Sequence, residues 1–304
     1  MKEYTFILNP RAGRGEGEKL HGRLQEHLSR TNLSFDFVCT RGPGDATVLA
    51  REAESRVVVA VGGDGTVNEV ANGLIGTGKI LGVIPAGSGN DFIKSLSLTH
   101  DLRSSLQKLL AGKTVTIDVG TVACGKEVTP AGGSSNLKKR YFVNGVGIGF
   151  DAMVAKRTAE IGHLRGVPLY VAAVFGSLGK YKAPLFSIAV DGYSEVSRRL
   201  LIAVGNGPCA GGGFYLTPDA RVDDGVFDLC LVDDVSIPTI MRLMPRVMRG
   251  KHRDEKRVKF LRGKEISINA EDEFYVHADG EIVGDRVRSV RIHMLESALT
   301  AVRG

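Results

Sequence analysis

Four cysteines, no secretory leader and no long apolar run are what the 304-residue chain offers where other classes of protein are rich. Cys39, Cys124, Cys209 and Cys230 are far apart, form no C-x-x-C pair and have no histidine at metal-ligand spacing, which argues against a zinc site and for reduced core thiols. The opening MKEYTFILN enters an apolar strand at once, without the basic, apolar and small-residue regions of a signal peptide, so cytoplasmic residence is the expectation. The longest apolar stretch, Val167 to Leu178, falls well short of the roughly 20 residues a spanning helix requires, so any membrane contact is expected to be peripheral. No Walker A string occurs, and no G-x-G-x-x-G opens the first β-α unit, which excludes a P-loop enzyme and an ordinary dinucleotide dehydrogenase.

What is present in excess is glycine, 39 residues, clustered beside polar residues at the ends of apolar runs. Tight backbone turns near a ligand are implied. With 43% hydrophobic and 24% charged residues the chain is an ordinary folded protein, and its length predicts two domains or one large one. The net charge of +6 is localised: Arg242 to Lys264 carries ten Lys and Arg against Asp254 and Glu255, leaving the rest slightly acidic. One basic patch facing an anionic partner, and no nucleic-acid binding, is the reading.

Strands are expected at Tyr4–Leu8, Phe35–Cys39, Val57–Val61 and Ile80–Ile84, each followed by helix-like sequence. Such β-α alternation predicts a parallel sheet that binds ligands beyond its carboxyl ends. After about Asp118 the pattern turns to antiparallel β, with strands at Thr116–Val122, Tyr141–Ile148, Leu185–Val190, Leu200–Val204 and Val226–Val232. Ala152–Lys180 reads as helix broken around Gly166-Val167-Pro168, Ser236–Arg249 as an amphipathic helix with Ser236 as N-cap, and Ala123–Lys139 as a mobile hairpin loop.

The strongest chemical signal is the strand Val57–Val61 running into Gly62-Gly63-Asp64-Gly65-Thr66-Val67-Asn68-Glu69. Glycines allow phosphate to approach backbone N–H groups, the new helix offers its positive end, and Asp64 could hold magnesium through oxygen. Two further strands end the same way, in Asn9-Pro10-Arg11-Ala12-Gly13 and in Pro85-Ala86-Gly87-Ser88-Gly89-Asn90-Asp91-Phe92. Three glycine loops would line one cleft.

These strings, in this order, resemble the catalytic domain shared by diacylglycerol, sphingosine and ceramide kinases, with the bacterial diacylglycerol kinases fitting best. The resemblance continues through Asn144–Asp151, Gly205-Asn206-Gly207, Pro218-Asp219-Ala220, Asp223-Asp224-Gly225 and Asp279-Gly280-Glu281. It implies an α/β ATP-binding domain like that of NAD kinases and diacylglycerol kinases over residues 1–122, with a return segment at about 292–304. A C-terminal β-sandwich for the lipid would span 123–291, the active site lying in the cleft between the two. By position, Asn9, Pro10, Arg11, Ala12, Gly13, Thr40, Gly63, Asp64, Gly65, Thr66, Val67, Asn68, Glu69, Ser88 and Asn90 would contact ATP. Asp64 with Asp91, directly or through water, would organise the catalytic Mg2+. Asp279 and Glu281 would activate the acceptor hydroxyl, Glu281 as general base. A structural magnesium would use Asp224 with the carbonyls of Arg221 and Val226. Serine at position 88, where many relatives have threonine, keeps the hydroxyl.

The implied reaction is transfer of the ATP γ-phosphate to a membrane lipid, diacylglycerol first, by a peripheral enzyme at the inner face of the membrane; a homodimer fits the resemblance. The face carrying Ile237, Ile240, Met241, Met244, Val247 and Met248, interleaved with Arg242, Arg246 and Arg249, would suit an anionic surface. The alternatives are an NAD kinase-like enzyme with a soluble acceptor, against which Asn68-Glu69 and the Asn-Pro-x-x-Gly loop speak, and a non-catalytic lipid- or nucleotide-binding protein.

Overall fold

The computed structural model describes residues 2–87, 89–127, 139–160, 166–178 and 181–304. The chain divides into two units, Met1–Asp118 with Glu296–Gly304, and Val119–Leu295.

The first unit alternates strand and helix: β1 (Tyr4–Leu8), α1 (Glu16–Leu28), β2 (Phe35–Cys39), α2 (Asp45–Glu52), β3 (Val57–Gly62), α3 (Asp64–Leu74), β4 (Ile80–Pro85), α4 (Phe92–Ser95) and α5 (Leu102–Ala111). Strands β1 to β4 pair in parallel, in the order β4-β3-β1-β2, and Thr300 and Ala301 pair in parallel with Ile80 and Leu81. The near-continuous apolar runs of β1, β3 and β4 are buried, as a sheet covered by helices requires. Leu20, Leu24 and Leu28, four apart on α1, pack with Phe6, Leu8 and Val61, each such side chain contributing about 1.5–3 kcal/mol. Asp101 caps α5 by accepting from Ser104 N–H at 2.7 Å, and Gly112, in the left-handed region, ends it. The chain steps from β1 to β2 on one side and returns to β3 on the other. That reversal opens a crevice beyond the carboxyl ends of β1 and β3, where open α/β sheets bind ligands.

The second unit is built from β5 (Thr114–Gly125) from Val119 on, β6 (Lys139–Phe142), β7 (Gly145–Gly149), α6 (Phe150–Glu160), α7 (Gly166–Leu178), β8 (Leu185–Val190), β9 (Tyr193–Gly205), β10 (Phe227–Asp233), α8 (Ile237–Val247), β11 (Val258–Gly263), β12 (Glu265–Ala278) and β13 (Glu281–Val302) as far as Leu295. Its pairings are antiparallel, in the order β11-β10-β9-β7-β12-β13. β9 and β12 each pair with β7 along one half and with β8 along the other, so the sheet folds over in a sandwich-like arrangement around Phe142, Phe186, Phe227 and Phe274. The expected fold class, α/β followed by a β-sandwich, is the one observed.

Particular elements differ from expectation. Tyr141–Ile148 is two strands, because the N–H groups of Val143, Asn144 and Gly145 leave the ladder to bond Asp279. Residues 123–125 extend β5, Lys139 opens β6, and 128–138 of the expected hairpin loop lie outside the described residues. Ser236 precedes α8, but its hydroxyl meets Thr239 and makes no cap bond to the backbone. β11, β12 and most of β13 were not named among the expected strands, β11 falling within the basic segment. Among the described residues no helix is long and apolar enough to cross a membrane.

Candidate active site

In the first unit the three glycine loops meet at the β1/β3 crevice. Asn9, just past β1, donates from Nδ2 to Thr66 Oγ1 at 3.0 Å, and its Oδ1 accepts the Arg11 N–H at 3.0 Å. Gly13, at φ 58°, lies so close to the third loop that a Cβ there would stand 2.3 Å from the Ala86 carbonyl oxygen; a Cβ on Gly87 would stand 2.6 Å from Gly63 Cα. Only bare backbone lets the loops pack this tightly. Thr40 N–H bonds the Leu8 carbonyl at 2.9 Å, placing the end of β2 beside them.

Not every residue of these strings presents a side chain. Gly63, Asp64 and Gly65 are half-buried at the start of α3, with the helix's first N–H groups, whereas the side chains of Val67 and Asn68 are buried. The Glu69 carboxylate accepts from Gly44 N–H at 2.9 Å and Ala46 N–H at 3.1 Å, so it caps α2 and steadies the turn after Thr40. Asn90, in the left-handed region and buried, closes its loop by bonding both N–H and carbonyl of Gly87 (3.1 and 2.7 Å). Its place is to shape the loop. Ser88 lies outside the described residues.

Asp64 Oδ1 accepts the Phe92 N–H at 3.4 Å, which brings Asp64 beside Asp91. The Asp91 carboxylate is buried and paired with Lys94 Nζ at 2.7 Å. The half-buried Asp64 carboxylate is a hard oxygen donor of the kind a magnesium ion would take, whereas the Asp91 carboxylate is already engaged by Lys94.

In the second unit Asp279 (φ 49°) and Gly280 (φ 86°) form the two-residue turn between β12 and β13, the type I′ geometry that Asp-Gly favours. The Asp279 carboxylate accepts three backbone N–H bonds, from Val143 at 2.9 Å, Asn144 at 3.0 Å and Gly145 at 2.8 Å. Both oxygens are engaged, so Asp279 anchors the turn. Glu281, half-exposed, pairs with Arg140 at 2.6 Å. Of the two acids, Glu281 is the one presented to solvent.

The residues expected at a structural magnesium, Asp224 with the carbonyls of Arg221 and Val226, lie in a cluster of ion pairs. Asp224 is spanned by Arg262, whose guanidinium also reaches Asp228 at 3.4 Å, and Arg221 pairs with Asp223 at 3.2 Å. Burial nonetheless pushes the Asp228 carboxyl up, Arg262 opposing it. No group of three or more His, Cys, Asp or Glu able to hold a metal occurs among the described residues.

The basic segment is also largely neutralised. Arg242 and Arg246 both pair with Glu255, Arg253 with Asp219, Arg257 with Asp233, Lys259 with Glu195 and Arg262 with Asp224. Burial works to raise the Glu195 carboxyl, but Lys259, Tyr193, Arg199 and Ser197 outweigh it and hold it well below its ordinary value. Arg249, Lys251 and Lys256 are exposed.

An apolar cavity of about 80 Å³, partly open to solvent, lies in the second unit, lined by Phe150, Val174, Leu200, Phe214, Ile240 and Met244 among others. Its polar lining is neutral: burial pushes the Cys230 thiol up to about 12 and the His252 imidazole down. α8 turns Ile240, Leu243, Met244 and Val247 to this cavity and leaves Ile237 and Met241 about half exposed.

Residues 3–122 match the family described as "Diacylglycerol kinase catalytic domain", and 144–302 match the "YegS C-terminal NAD kinase beta sandwich-like domain". Over 301 residues the chain is 30% identical to "Putative lipid kinase YtlR" of Bacillus subtilis, covering 93% of this chain and 94% of that protein. The chain belongs to the diacylglycerol kinase family of lipid kinases. A "Diacylglycerol kinase" of Staphylococcus aureus is 28% identical over 289 residues, 93% of this chain and 87% of that one. In fold, this lipid kinase matches the crystal structure of "a putative diacylglycerol kinase from Bacillus anthracis" with a TM-score of 0.78 at 24% identity, over all of this chain and 95% of the other. As a member of the family it is a phosphotransferase with an alcohol as acceptor.

One feature of this lipid kinase was not legible in its motifs. His277, on β12 just before the Asp-Gly turn, bonds Asp151 at 2.9 Å through Nε2 and accepts the Gly280 N–H at Nδ1, 3.3 Å. A lone histidine in an apolar strand reads as core; its position two residues ahead of Asp279 was the available signal.

Proposed function

We propose that the enzyme transfers the γ-phosphoryl group of ATP to the free hydroxyl of diacylglycerol, giving phosphatidic acid. The observation that carries the lipid acceptor is the neutral, almost wholly apolar lining of the cavity walled by α8. In this reading the 9–13, 63–66 and 86–90 loops bind the phosphates through backbone N–H groups, and Asp64, with Asp91 through water, would hold magnesium. That ion, when bound, neutralises charge on the transferring phosphoryl group. Glu281 takes the proton of the acceptor hydroxyl, which without a base is a poor nucleophile, while Asp279 keeps the turn that presents it.

The decisive experiment offers labelled ATP and magnesium with mixed micelles of diacylglycerol, micelles of other hydroxyl lipids, and soluble NAD. Label in phosphatidic acid is expected. Label in another lipid alone would replace diacylglycerol as acceptor, and label in NAD alone would overturn the lipid reading.

Peripheral contact with an anionic membrane on the cytoplasmic side belongs to the same proposal, but it rests on fewer charges than the segment contains. Ile237 and Met241 supply exposed apolar surface, and Arg249, Lys251 and Lys256 the exposed charge. At about 1 kcal/mol per basic residue, reversing all three to Glu is expected to weaken sedimentation with phosphatidylserine vesicles at least about 10²-fold. Unchanged sedimentation would remove these three from the membrane contact.

A further inference from the structure

We propose that His277 is a positioning residue for phosphoryl transfer, holding the Asp279–Gly280 turn so that Glu281 is presented in one place; this rests on Glu281 being the base. The Gly280 N–H can only donate, so the Nδ1 it reaches at 3.3 Å accepts, while Nε2 meets Asp151 Oδ2 at 2.9 Å. The imidazole is thus a bridge with both nitrogens used, and both partners are buried, His277 6% and Asp151 3% exposed. The turn is therefore held from two sides, at Asp279 by the N–H groups of residues 143–145 and at Gly280 by His277.

The surroundings reserve space for this bridge. A Cβ on Gly147 would stand 2.1 Å from Asp151 Oδ2 and 2.2 Å from His277 Nε2, so any side chain there would force the pair apart. Asp151 lies in the first turn of α6, next to Phe150, which lines the apolar cavity. The bridge thus ties the wall of that cavity to the acidic turn. A displacement of about 1 Å at a reacting group can cost on the order of 10²-fold in rate, which is the scale on which such a tie acts.

Three substitutions separate positioning from packing. Asn at 277 can place its amide oxygen where Nδ1 was and accept from Gly280, but is too short for Asp151. Gln can reach Asp151 and leaves Gly280 unbonded. His277→Ala is expected to lower kcat roughly 10- to 100-fold with KM for ATP unchanged within about twofold. His277→Asn should recover most of that kcat and His277→Gln should not, whatever their melting temperatures. If the pair only fills the core, kcat follows stability and Gln, which keeps the buried Asp151 partnered, does best; that ranking overturns the proposal, as does kcat within about twofold of wild type in His277→Ala. Glu281→Gln, measured alongside, tells the two failures apart: full activity there overturns the base assignment and this proposal together, whereas an inactive Glu281→Gln with an active His277→Ala overturns this proposal alone.

Discussion

Asp64→Asn is expected to lower phosphoryl transfer by about 10²- to 10³-fold while the melting temperature barely moves. The expectation combines two geometric facts. Asp64 is half-buried at the first position of α3, where the glycine loops converge, and one of its oxygens accepts a long 3.4 Å bond from Phe92 N–H. An asparagine oxygen can keep that bond, so the local structure survives. What is lost is the negative charge: a neutral amide is a far weaker magnesium ligand than a carboxylate, and removal of one element of electrostatic stabilisation at a phosphoryl or acyl transfer centre costs on the order of 10²–10³ in rate. Loss of a favourable charge at a helix start should cost the fold at most about 1 kcal/mol. Transfer from labelled ATP at saturating magnesium and a thermal melt measure the two quantities. Turnover within tenfold of wild type would remove Asp64 from the metal site. A large fall in melting temperature would mean instead that the variant reports on folding.

The contrast between Asp64 and Asp91 shows what local sequence can and cannot carry. Both stand in glycine-rich strings at strand ends, and strand, turn and helix start are encoded within about a dozen residues. The position of β3, its glycine turn and α3 was therefore readable. Whether a carboxylate at such a turn is available depends on its neighbours in space. Asp91 meets Lys94 one helical turn on, and Glu69 is drawn to the α2 start 23 to 25 residues earlier in the chain. The same limit explains the basic segment. Ten positive residues in a short stretch suggested an open patch, yet Glu195, Asp219, Asp224 and Asp233 come to it from upstream in the sequence, brought there by antiparallel pairing of β9, β10 and β11.

The fold class followed from periodicity, but the long β12 and β13 did not. In β13 the buried Val290, Ile292 and Met294 keep a two-residue period but buried Val287 falls out of it, and charged residues of both signs are interspersed, so no clean alternation marks the strand. Over 22 residues that pattern competes with a reading as charged loop, and only pairing with β12 decides it. The bond from Asp151 to His277 spans 126 residues of sequence, a separation at which motif reading has no purchase.

Glu281→Gln should lower kcat by on the order of 10²- to 10⁴-fold, the range attributable to general base catalysis, with KM for ATP little changed. Gln matches Glu in length and keeps an oxygen that Arg140 can hold, so the geometry of β6 and of the turn is preserved while the group can no longer accept the hydroxyl proton. The ion pair itself is about 40% exposed on both sides, and such pairs contribute about 0–1 kcal/mol, so a stability loss cannot account for the expected rate loss. Asp279→Asn is a different experiment. An amide presents one acceptor oxygen in place of two, so one or more of the three N–H groups at residues 143–145 loses its partner, and each buried donor left unbonded costs about 1–3 kcal/mol. Activity and melting temperature should therefore fall together at position 279, whereas at 281 activity should fall alone. A Glu281→Gln enzyme that turns over like wild type, or an Asp279→Asn enzyme that loses activity at full stability, would move the base from Glu281 to Asp279.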